Sequence, residues 1–121
     1  MDIIELRAYC ISKKEVEECF PFDETTLVFK VLGKIFALLS LDEPVYPSIN
    51  LKCDPELAID LRERFSCVIP GYHMNKKLWN TIVLDGSVDS KTIKLWVDHS
   101  YDEVVKKLPK KIQEKLNDNI L

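Results

Sequence analysis

At 121 residues, with 46% hydrophobic and 31% charged side chains, the chain has the size and composition of one folded domain, which excludes a disordered, collagen-like or disulfide-stapled miniature protein. Its 3 glycines leave little material for a phosphate-cradling loop, and its net charge of −3 excludes attraction of nucleic acid by the molecule as a whole. The charge is uneven, however: residues 1–60 carry 6 basic and 12 acidic side chains and residues 61–121 carry 11 and 8, so a local basic face is allowed.

The chain opens Met1-Asp2-Ile3-Ile4-Glu5, with an acid where an export signal carries basic residues; the expected location is therefore the cytoplasm. Asp2 is placed to cap a first helix with Ile3, Leu6 and Cys10 on one stripe. Ser12 and Glu15 have capping-box spacing ahead of Val16, Cys19 and Phe20, which predicts a second short helix stopped by Pro21. From Leu27 the pattern changes to runs rich in Val, Phe, Ile and Leu on either side of Leu32-Gly33, a β-hairpin whose loop length is left open by the leucine. The apolar run from Ile35 to Leu41 is interrupted by Ser40 and falls far short of the ~20 residues that span a bilayer.

Pro44 and Pro47 mark a loop, and Ser48 to Cys53 predicts a third strand. Asp54-Pro55-Glu56 joins an N-cap, a proline at the first helical position and an acid at the positive helix end, followed by Leu57, Leu61 and Phe65 at four-residue spacing. Val68 to Gly71 reads as a short apolar piece and turn, and Trp79 to Leu84 as a strand closed by Asp85-Gly86. Asp89 to Leu108 carries Ile93, Trp96, Val97, Tyr101, Val104 and Leu108 at helical spacing, one long helix to cover the sheet. Pro109 breaks it, and 110–121 is a short helix or a loosely held tail. The whole of 1–121 is expected to form a single α+β domain, an antiparallel sheet of about five strands with helices packed on it.

Catalytic chemistry finds no foothold in these residues. His73 lies near Cys67 but no third group orients the pair, and His99-Ser100-Tyr101-Asp102 occupies consecutive helical positions that point in different directions. Cys10, Cys19, Cys53 and Cys67 lack the paired spacing of a zinc site and are expected to be buried thiols. The expectation is therefore no enzyme, no cofactor and no metal. Gly71 to Asn80 is the segment of most interest, because lysines and amides can hold phosphates while an aromatic ring can stack a base. The plainer alternative is that Tyr72 and Trp79 anchor the core and the lysines solvate the loop. Lys106, Lys107, Lys110, Lys111 and Lys115 form a second basic run, which a solvated helix end explains.

The order of short motifs is more specific than any one of them. Phe20-Pro21-Phe22, Phe29 through Ala37, Asn50-Leu51-Lys52-Cys53-Asp54-Pro55, Leu61-Arg62, His73 through Asn80 and Ser100-Tyr101 together resemble the MmcQ/YjbR family over about residues 2–111. The resemblance implies a fold like that of type III secretion chaperones and a DNA-binding role inferred from a double-wing shape. Carried onto this chain, it marks Lys30, Lys34, Lys52, Arg62, His73, Asn75, Lys76, Lys77 and Trp79 as the nucleic-acid-binding positions, with no catalytic role among them. Leu32 stands where the family usually has a glycine pair at the hairpin tip. The expected partner is DNA, bound weakly and in a salt-sensitive way, with a protein-interaction or chaperone-like module as the alternative, acting as a monomer or homodimer away from any membrane.

Overall fold

A computed structural model describes residues 2–42, 45–71 and 74–118. Three aspartates start three of its four helices. Asp2 accepts a hydrogen bond from the Glu5 N–H ahead of α1 (Ile3–Ile11), Asp54 from the Leu57 N–H ahead of α2 (Pro55–Arg64), and Asp89 from the Thr92 N–H ahead of α3 (Ser90–Val105). Each satisfies an amide that the helix itself leaves without a partner. The last helix, α4 (Lys110–Asp118), follows Pro109.

The strands are β1 (Val16–Cys19), β2 (Thr26–Val31), β3 (Lys34–Ser40), β4 (Ser48–Lys52), β5 (Val68–Pro70) and β6 (Trp79–Val83). They form one sheet in the order β1-β2-β3-β4-β6-β5, antiparallel at every pairing, so the α+β class read from the sequence holds. The sixth strand is β1, and it corrects the helix expected after Ser12. Glu15 takes a left-handed φ of 59°, which ends any helical path, and the Leu32 N–H donates to its carbonyl. Val16 to Cys19 then pair with Val31 to Val28, so long-range pairing overrides the local capping signal.

Leu32 and Gly33 form a two-residue hairpin tip with φ of 49° and 82°. Positive values at both positions are what the right-handed twist of the flanking strands demands, and the glycine meets the demand without strain while the leucine does not. Beyond the tip, the pairing of β2 with β3 shifts register after Phe29, leaving Phe36 as an extra residue. Phe36 and Lys52 lie just past the last matched pair of β3 and β4. There the fully buried Ser100 hydroxyl donates to the Phe36 carbonyl (2.5 Å) and accepts from the Lys52 N–H (2.8 Å), tying α3 to the sheet.

Strand alternation gives the sheet two different faces. One carries Phe29, Val31, Phe36, Leu39, Ile49, Leu51 and Ile82, which pack with Leu6, Ala58, Leu61, Ile93 and Val97 of the helices in the main core. Each of the larger of these side chains contributes roughly 1.5–3 kcal/mol by leaving water. The opposite face carries only a small cluster, Val28, Leu38 and Trp79, edged by Cys19, Ile35, Met74 and Leu78. None of the residues packed in that small cluster comes from a helix.

Candidate nucleic-acid interface

The β5–β6 connection is built by close backbone contacts. The Gly71 N–H donates to the Trp79 carbonyl at 2.9 Å, and a Cβ on Gly71 would stand 2.9 Å from the Trp79 Cβ and 3.0 Å from that carbonyl oxygen, so only glycine fits. Further along, the Asn75 carbonyl accepts from the N–H groups of Leu78 and Trp79, while the Asn75 side chain accepts from the Lys77 N–H at 2.9 Å. The Leu78 carbonyl accepts from the Cys53 N–H at 2.7 Å, which fastens the loop to the end of β4.

Arg62 holds the loop from the helix side. Its Nε donates to Asn80 Oδ1 at 2.7 Å, and its terminal nitrogen donates to the carbonyls of Lys76 and, at 3.3 Å, Trp79. Asn80, 2% exposed, donates in turn to the Ala58 carbonyl. Arg62 is thus a positioning residue, its Nε and one terminal nitrogen engaged by the fold. Trp79 is buried in the small cluster and buttresses rather than offering an open ring, and Asn75 shapes the turn. His73 lies outside the described residues.

The lysines divide. Lys30 alternates with the buried Val28 and faces Ile35 across the ladder; Lys52 faces Trp79. Both therefore rise from the helix-free face, two strands and about 10 Å apart. Lys76 and Lys77 are exposed on the loop fastened beside Lys52. Lys34 pairs with the core residue Val31 and so points to the other side of the sheet, apart from this group. Among the described residues, no carboxylate comes within 4 Å of Lys30, Lys34, Lys52, Lys76 or Lys77. Glu17 stands opposite Lys30 in the β1–β2 register and moderates the positive charge at that edge.

Beside these lysines the helix-free face holds a groove of about 320 Å³, lined by Phe22, Asp23, Thr26, Leu38, Ser40, Asn50 and Met74. Phe22 is 65% exposed. Asp23 accepts from the Thr25 and Thr26 N–H groups, which hold its carboxyl below the usual range. Asn50 Oδ1 accepts from the Thr81 hydroxyl, and its two amide hydrogens have no partner among the described residues. Sequence reading missed the groove because its residues come from four separate segments; the exposed aromatics of Phe20-Pro21-Phe22 were the one available signal.

His99 and Tyr101 of the His99 to Asp102 run are engaged by the fold. His99 Nε2 accepts from the Asp54 N–H at 3.1 Å, and the Tyr101 hydroxyl donates to the Lys14 carbonyl at 2.7 Å. Burial pushes the Cys10 thiol up to about 12 and the Cys53 thiol to about 11, far from a reactive thiolate. No helix among the described residues is long and apolar enough to cross a membrane.

Comparison with known proteins agrees with this architecture. The Deinococcus radiodurans protein DR2400 superimposes with a TM-score of 0.87 at 37% identity, over 95% of this chain and 87% of that one. A Pseudomonas syringae protein superimposes at 0.71 with 27% identity, over 83% and 96%. The uncharacterized protein YjbR of Escherichia coli K12 is 39% identical over 109 residues, which is 90% of this chain and 92% of that protein. Uncharacterized protein YbdF of Escherichia coli O157:H7 is 36% identical over 101 residues, 84% and 82% of the two chains. The YjbR family model matches residues 11–103, and with three quarters of the chain so covered, the protein belongs to the YjbR family.

Proposed function

We propose that this protein binds DNA weakly and with little sequence preference, through Lys30, Lys52, Lys76 and Lys77. The reading rests on one observation: Lys30 and Lys52 rise from the helix-free face, Lys76 and Lys77 are exposed on the loop fastened beside Lys52, and among the described residues no carboxylate comes within 4 Å of any of them. Lysines so placed attract phosphates as point charges without reading base edges, which gives affinity and little selectivity. The proposed role is binding alone, with no catalytic part for these residues.

Fluorescence anisotropy with labelled DNA at several salt concentrations tests it. If about four phosphates are neutralised, log affinity on duplex falls with log salt at a slope of about −3.6, and replacing Lys30 and Lys52 by serine reduces the slope by about two. Binding that is absent at low salt, or that ignores these substitutions, rejects the proposal.

A second reading, a protein-interaction module, draws on the exposed Phe20, Phe22, Val45 and Tyr46. Capture of a protein by the immobilised chain after nuclease treatment, lost on Tyr46→Ala, would favour it over DNA binding.

A further inference from the structure

The lysines account for phosphates but leave the neighbouring groove without a role. We infer that this groove receives one unstacked base of a single-stranded nucleic acid whose phosphates lie along Lys52, Lys76 and Lys77, an inference that rests on the DNA-binding reading above.

The wall and floor have the chemistry of a base site. Phe22, Leu38 and Met74 supply apolar surface, and the exposed Phe22 ring makes no ring contact among the described residues. An aromatic side chain in that condition stacks any base, because every base has a π-face. Asn50 supplies two amide hydrogens and Ser40 a hydroxyl to whatever edge faces the sheet. A volume of about 320 Å³ is at the small end of ligand sites and suits a single ring system rather than a stack.

The placement of charge orients the strand. Asn50 and Lys52 rise from the same face of β4 two residues apart, about 7 Å, so a base against Asn50 brings its backbone within reach of Lys52. At the other end Asp23, kept ionised by its two backbone donors, repels phosphate and confines the backbone to the lysine end. A paired base lies inside its duplex and cannot enter such a groove, so the site distinguishes single strands from duplexes.

The test measures anisotropy of a labelled strand of about 12 nucleotides, alone and annealed to its complement, with the intact chain, two groove variants and Lys52→Ser. Phe22→Ala alters an exposed ring and leaves the thermal midpoint in place. Asn50→Asp keeps the acceptor for Thr81 and exchanges the amide donors for a negative charge. Both are expected to weaken single-strand binding roughly tenfold, Phe22→Ala leaving duplex binding and the salt slope unchanged. If single-strand affinity survives both variants while remaining dependent on Lys52, the groove inference fails and the lysine reading stands. If neither strand form binds at low salt, the lysine reading fails and the groove inference with it.

Discussion

The two faces of the sheet differ in where their ion pairs lie. Each of the ion pairs in the described structure involves a helix or its flank: Arg7 with Glu18, Lys13 with Asp98, Arg64 with Asp60, Lys94 with Glu5 and Lys106 with Glu103. Several converge. Asp98 accepts from the Tyr9 hydroxyl and from Lys13, both at 2.6 Å, while Lys13 and Lys94 lie over the Tyr9 ring. These contacts tie α1 to α3 and are satisfied within the molecule. Lys30 and Lys52 on the helix-free face have no such partners among the described residues. Charge already neutralised internally holds the fold; charge left facing water is what another molecule can use.

That contrast can be sharpened by substitutions of one residue type on each face. Phe29→Ala, at a fully buried site under the helices, is expected to cost about 3–5 kcal/mol in urea unfolding. Phe22→Ala on the other face is expected to stay within about 0.5 kcal/mol. Equal losses from the two would break the comparison. Asp98→Ala, which removes the shared acceptor of Tyr9 and Lys13, is expected to cost about 1 kcal/mol and to leave DNA affinity unchanged. A loss of affinity with it would mean that the helix side takes part in binding.

The smallest expected effect is a titration. Burial, then the bond to Asp98, raises the Tyr9 hydroxyl from 10.0 to about 12. A raised folded value means that its stabilisation is present in full below pH 10 and is lost as pH rises from 10 toward 12, because the unfolded chain gives up the proton first. Unfolding midpoints in that interval should fall less steeply for Tyr9→Phe; identical slopes would show that Tyr9 does not govern the alkaline limit.

Much of the architecture was legible because its signals are local. Asp54-Pro55 starts α2 where the cap and the fixed proline φ require, and the hydrophobic runs around Leu32-Gly33 form the hairpin. The first strand was not legible, since Ser12 and Glu15 carry a helix signal that only pairing with Val28 to Val31 overrides. Of the candidate site, the loop lysines were readable as charge. The facing of Lys34, the capture of Arg62 by Asn80 and two carbonyls, and the burial of Trp79 depend on register and contacts between distant segments. Sequence spacing does not carry that information.

The sheet's two margins bear on self-association. One margin is a four-residue strand bearing Glu17 and Glu18; the other is three residues long and ends in Pro70, which has no N–H to donate. Neither presents a long row of amides and carbonyls for another chain to extend. Polymerisation by edge-to-edge zipping is therefore disfavoured even though, among the described residues, no helix packs on one broad surface of the sheet.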